Sequence, residues 1–157
     1  MTDIKRFANP LFLRDEDLRQ AMEMLYFSYR RFTGEADHVL AAHGFGRAHH
    51  RVLYFVGRQP GMTVKQLLQL LEITKQSLAR VLKALLDKGL VEQRAGDQDR
   101  RERRLYLTAP GHELEGAAAQ AQVRLLREAF MSVGPEGVEG FGQVLMGLIP
   151  PDHRHRF

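Results

Sequence analysis

A chain of 157 residues, 44% hydrophobic and 27% charged, has the composition of one folded domain and is unlike a disordered polymer. With no cysteine, it excludes disulfides, thiolate zinc sites, iron–sulfur clusters and thiol redox sensing. The net charge of +4 and pI near 9.7 lean towards an anionic partner. No signal-peptide pattern and no run of about 18 apolar residues is visible, so a cytoplasmic location and no membrane partner are expected.

The first segment, "RFANPLFLRD" at 6–15, presents Phe7, Leu11, Phe12 and Leu13, apolar residues that a monomer would normally hide. From Asp15 to about His43 the pattern is helical: Leu18, Met22, Leu25, Tyr29 and Phe32 step by three and four onto one face. Gly34 is tolerated inside such a helix at about 1 kcal/mol relative to Ala and permits a bend. "HGFG" at 43–46 stops it. A second helix, about Arg47–Gly57, carries Val52, Leu53, Phe55 and Val56 and ends at "RQPG".

Next comes "MTVKQLLQLLEITKQSLARVLKALLDKGL". Thr63 can cap a short helix over Val64–Leu71, Glu72 and Ile73 break it, and Thr74 can cap a third-to-fourth helix pair's second member. That helix extends to about Lys88, where Gly89 supplies the stop. Leu90–Arg94 and Arg104–Thr108 then read as two strands of a hairpin, with Leu105 and Leu107 on one side and Arg104 and Tyr106 on the other. A long helix from about Pro110 to Met131 follows, and "GPEG" opens a last helix with Val138, Phe141, Leu145 and Leu148 on one face.

The helix over 75–88 carries the most information. Leu78, Val81, Leu82 and Leu85 fall within one stripe that can seat it on a core. Its opposite face holds Gln76, Arg80, Lys83 and Asp87, with Lys75 and Ser77 near the end capped by Thr74. Amide, hydroxyl and guanidinium groups match base edges in a major groove, and a capped N-terminus suits phosphate. Any surface helix is polar outside, so the context decides. The loop that follows, "RAGDQDRRERRLYLT", crowds Arg94, Arg100, Arg101, Arg103 and Arg104 together. Between Glu72 and Thr108 nine basic residues face six acidic ones, which concentrates most of the chain's positive charge there.

Taken in order, "MTVKQLLQLLEITKQSLARVLKALLDKGLVEQR", the wing "DRR" and "LTAPGHEL" resemble the winged helix-turn-helix of the MarR family of bacterial transcription regulators. The order of elements agrees from about residue 15 to 149. The resemblance implies a mainly α fold with a small β-hairpin: a single domain over 1–157, with a DNA-binding lobe at about 47–108. Helical dimerisation regions would occupy about 1–46 and 109–149, and 150–157 would be a tail. It implies that the helix at 75–88 enters the major groove of double-stranded DNA through Lys75, Gln76, Ser77 and Arg80. Arg101 would reach the minor groove or backbone, braced by Asp99, with Arg100 and Arg103 beside it. Asp97 stands where many family wings carry proline.

The resemblance further implies a homodimer and, in some members, a small aromatic or anionic effector in a cleft below the long helices. Here that cleft would draw on Tyr26, Tyr29, Arg30 and Phe32, and on Arg47, His49 and His50. The same aromatic stripe can equally be core. Metal ligation on a helix needs imidazoles three or four apart; His38 and His43 are five apart and His49 and His50 are adjacent, so no metal site and no cofactor are expected. "HRHRF" at 153–157 reads as a mobile tail. No nucleophile elbow or glycine-rich phosphate loop supports an enzyme. The expected function is a sequence-specific, ligand-responsive repressor acting as a homodimer on a palindromic operator. The alternative is a winged-helix module for protein contacts without specific DNA binding.

Overall fold

The structure, a computed structural model, describes residues 13–157. The expectations for Phe7, Leu11 and Phe12 lie outside the described residues. Helix α1 spans Asp15–Ala41 and continues unbroken through Gly34. Its first turn carries Asp15, Glu16 and Asp17, acids that suit the positive end of the helix dipole. Helix α2 (Arg47–Arg58) buries Val52, Leu53 and Val56 completely.

Strand β1 (Met62–Thr63) leads directly into α3 (Val64–Leu71). Thr63 and Gln66 close a reciprocal cap: the Gln66 N–H donates to Thr63 Oγ1 at 3.1 Å, and the Thr63 N–H donates to Gln66 Oε1 at 2.8 Å. After Glu72 in the left-handed region (φ 50°), Thr74 caps α4 (Lys75–Asp87), which ends at Gly89 with φ 66°. Strands β2 (Val91–Ala95) and β3 (Arg103–Leu107) pair antiparallel, Val91 opposite Leu107 and Ala95 opposite Arg103. Helix α5 (Ala109–Met131) and α6 (Gly134–Leu148) complete the order.

The sheet corrects the two-stranded expectation. It has three strands in the order β1-β3-β2, with Met62 opposite Leu105 and Thr63 opposite Arg104. A two-residue strand is too short for alternation to announce it. The final segment also departs from the mobile tail expected. Pro151–Arg156 winds into a 3-10 turn, and Arg154 donates from Nε to the Ile149 carbonyl at 2.9 Å and from Nη2 to that of Gly147 at 3.4 Å. These are carbonyls that the end of α6 leaves without helical partners.

One joint locks the lobe to α5. Thr108 Oγ1 accepts from the Gly111 N–H at 3.2 Å and donates to the Gly89 carbonyl at 2.6 Å, while the Thr108 N–H donates to the Leu90 carbonyl. The first turn of α5 therefore presses on the start of β2 so closely that a Cβ on Gly111 would lie 2.0 Å from the Leu90 oxygen. This is the physical content of the Leu-Thr-x-x-Gly spacing at 107–111.

The core fills the lobe and its junction with the long helices. Leu40, Leu53, Leu67, Leu78, Leu85 and Leu105 are fully buried at its centre. Along α1 the buried residues are Thr33, Ala36 and Leu40, with Asp17 near the start. The apolar stripe of Leu18, Met22, Leu25 and Tyr29 is exposed, and apart from Asp17 the buried residues of α1 lie in its later turns. Helix α6 buries none of its residues.

Candidate nucleic-acid interface

Helix α4 is seated by Leu78, Leu82 and Leu85, which fixes the rotation of its outer face. Lys75, Gln76, Ser77, Arg80 and Lys83 are all exposed on that face, as is the cap residue Thr74. Two of them are partly committed. Thr74 Oγ1 accepts from the Ser77 N–H at 3.1 Å and donates to Ser77 Oγ at 2.8 Å, so these hydroxyls first of all hold the helix start. Lys83 pairs with Asp87 one turn on at 2.6 Å, an exposed i,i+4 pair that offsets its own charge. Lys75 and Arg80 have no acidic partner among the described residues. Lys65 of α3, missed in the sequence reading, joins Lys75 and Lys83 around a groove of about 610 Å³ floored by Leu68, Leu78 and Leu82. Its lone position on a short helix gave no signal.

The arginine loop sorts into two sets. Arg94 pairs with Glu92 and lies over the Tyr106 ring at 4.2 Å. Arg104 pairs with Glu102 at 2.7 Å and donates to the Gly61 carbonyl at 3.2 Å. Both serve the sheet. Arg100, Arg101 and Arg103 are exposed and form no ion pair among the described residues. Asp99 contacts Arg101 through the backbone: its Oδ1 accepts from the Arg101 N–H at 2.9 Å. The Asp99 carbonyl accepts from Glu102 N–H, and the Glu102 carbonyl from Gly96 N–H, each at 3.0 Å. The tip is a closed hydrogen-bonded turn that leaves three guanidinium groups to solvent.

A second feature lies where α2 meets α1 and α5. A cavity of about 350 Å³ is lined by Tyr29 and Phe32 of α1, by Arg47, His50, Arg51 and Tyr54 of α2, and by Gln122 and Leu126 of α5. Of the seven residues expected at a ligand cleft, Tyr29, Phe32, Arg47 and His50 line it. Tyr26 and Arg30 do not; they stack on one another at 5.8 Å along exposed α1. His49 is also absent, because its Nδ1 accepts from the Gly46 N–H at 3.1 Å and its ring packs on Phe45, where it caps α2. Arg51, Tyr54 and Gln122 were missed, since their convergence depends on helix packing.

Within this cavity Arg47 is already engaged, bound to Asp37 at 2.6 Å and lying over the Tyr29 ring at 5.8 Å. Arg51 approaches the Tyr29 hydroxyl at 3.4 Å. His50 is 8% exposed, and its Nε2 is buried without a hydrogen-bond partner among the described residues. Burial pushes the His50 imidazole below its ordinary range, which Asp37 opposes and Arg51 reinforces.

Comparison with known proteins agrees with this geometry. Residues 43–102 match the model of the MarR family. The chain is 48% identical over 147 residues to the HTH-type transcriptional regulator PetP of Rhodobacter capsulatus, covering 94% of this chain and 89% of PetP. Its fold matches that of FabT from Streptococcus pneumoniae, solved in complex with DNA, at TM-score 0.73 and 20% identity over 84% of this chain and 94% of FabT. A MarR family regulator from Silicibacter pomeroyi matches at TM-score 0.67 and 22% identity, over 82% and 86% of the two chains. No helix among the described residues is long and apolar enough to cross a membrane. The chain belongs to the MarR family of winged helix-turn-helix transcriptional regulators, which are not enzymes.

Proposed function

We propose that this regulator reads double-stranded DNA sequence-specifically, as a homodimer on a palindromic operator, and acts as a repressor released by a small aromatic or anionic effector. The observation that carries the reading is the set of unneutralised cations on one lobe. Lys75 and Arg80 stand on the exposed face of α4, Arg100 and Arg101 on the closed turn beyond β2, and Arg103 at the start of β3. Arg80, with Gln76, offers donors to base edges in the major groove, while the slender wing offers charge to phosphates and the degenerate minor groove.

The dimer is supported by the apolar side chains that one chain leaves bare on α1 and α6. Two copies of α4 about 34 Å apart would meet successive turns of one DNA face. The effector reading rests on the cavity between α2 and the long helices, whose aromatic lining carries Arg51 for an anion. A molecule wedged there changes the spacing of the lobes without covering α4.

The test is selection of bound duplexes from a random pool, followed by titration of the selected and a random duplex. The selected sequence should be palindromic and bind at least about 10³-fold more tightly than the random one. Equal affinity for both would leave the protein-contact reading in its place. Screening aromatic acids against the complex tests the effector separately.

A further inference from the structure

The fold brings together three side chains that sequence spacing keeps 80 residues apart. Glu72, in the turn between α3 and α4, converges with Asp152 and His153, and one ligand atom from each lies within 4.8 Å of the others. His153 Nε2 is 3.7 Å from Glu72 Oε1, too far for a hydrogen bond. Neither carboxylate has a lysine or arginine partner among the described residues. Two acidic groups and an imidazole therefore face one point, and among the described residues only His153 lies within ion-pair distance of Glu72.

The backbone that carries these groups is held independently of any ion. The Glu72 N–H donates to the Leu68 carbonyl at 3.1 Å, and the His153 N–H to the Pro150 carbonyl at 3.0 Å. Arg154, next to His153, is hooked onto the end of α6. Each half of the cluster is thus tied within its own element before a ligand arrives.

We propose that Glu72, Asp152 and His153 form a site for a divalent transition cation of the zinc class, which clamps the 151–156 turn to the helix-turn-helix. One nitrogen and two oxygen donors suit zinc, cobalt or nickel; calcium and magnesium prefer all-oxygen cages. Bonds of about 2.0–2.2 Å in a tetrahedral shell place donors roughly 3.4 Å apart. The donors now lie within 4.8 Å of one another, and the Glu72 and Asp152 carboxylates that would close on the ion are exposed. Three protein ligands leave the remaining position to water.

The site's location gives it a consequence. Glu72 lies two residues before Thr74, the cap of α4. A bound dication cancels negative charge beside the helix start and ties the element that follows α6 to the turn that sets α4.

The experiment uses the full chain and zinc alone, by competition with a chromophoric chelator, with cobalt absorption as a spectroscopic check. The wild type should bind one equivalent per chain. His153→Ala and Glu72→Gln should each weaken binding at least tenfold and abolish the cobalt band, whereas His43→Ala, outside the cluster, should bind as the wild type. All three positions in the site are solvent-accessible, and metal-free circular dichroism confirms that each variant is folded. No binding by the wild type, unchanged affinity in His153→Ala, or equal loss in His43→Ala overturns the site. The readout is metal binding itself, so DNA recognition can fail while this site stands, and the reverse.

Discussion

The α2–β3 lobe and the helices that flank it solve the same burial problem in opposite ways. The lobe closes on itself: Val52, Leu53, Val56, Leu67, Leu78, Leu85 and Leu105 leave almost no surface to water. Helices α1 and α6 stay open, with Met22 67%, Phe27 61% and Leu148 61% exposed. Soluble monomers rarely display apolar surface on this scale. The lobe is a finished unit that can present α4 at a fixed angle, and in the proposed homodimer the open helices are half of an interface. On that proposal specificity and assembly are carried by different residues and can be broken separately.

The largest effect should come from charging the open face. Met22→Glu with Phe141→Glu should yield a folded monomer by sedimentation, with binding to a palindromic duplex down by about 10²-fold or more through loss of the second half-site. A variant that stays dimeric would show that these residues are not the interface. Arg80→Ala comes next. A bidentate arginine–guanine contact is worth about 1–3 kcal/mol of discrimination, so cognate affinity should fall roughly 10- to 100-fold while random DNA changes far less. Equal losses on both duplexes would reduce Arg80 to a phosphate contact.

Arg101→Ala should weaken both duplexes alike and flatten the salt dependence by close to one phosphate's worth, a slope change of about 0.9 per subunit. Asp99→Ala should do part of the same damage although it removes a negative charge. The carboxylate holds the Arg101 backbone N–H at 2.9 Å, and without it the turn that presents the arginines loosens. Tighter binding by Asp99→Ala would mean that the loop acts only through net charge.

The smallest effect concerns His50 and the cavity side of the junction. Its folded pKa is lowered, chiefly by burial, so the unfolded chain takes up the proton first as pH falls. The stability that depends on a neutral His50 is complete above the ordinary histidine range, near 6.5, and declines below it. His50→Leu should flatten the loss between pH 7.5 and 5.5 in urea melts. Some slope should remain, because burial also lowers His49. An unchanged slope would place the acid sensitivity elsewhere.

Much of the lobe was legible in the sequence because its signals are local. Thr63 and Thr74 cap helices within three residues of themselves, and Gly89 stops α4 where its positive φ requires a residue without a Cβ. The wing arginines stood out by number, but which were free did not: Arg94 turns to Tyr106 and Arg104 to Gly61, partners set by sheet register. Strand β1 was too short to show a period. Periodicity found the apolar stripe on α1 and gave no sign of what covers it. The cavity lost Tyr26, Arg30 and His49 and gained Arg51, Tyr54 and Gln122, because rotation of packed helices decides which side chains meet. Glu72, Asp152 and His153 share no local pattern.

Hydroxyl-radical footprinting of the selected duplex tests the division between reader and interface most directly. Two symmetric protected half-sites are expected, with centres one helical turn apart, about 10–10.5 base pairs, flanked by weaker protection from the wings. A single asymmetric footprint, unchanged by Met22→Glu with Phe141→Glu, would contradict it.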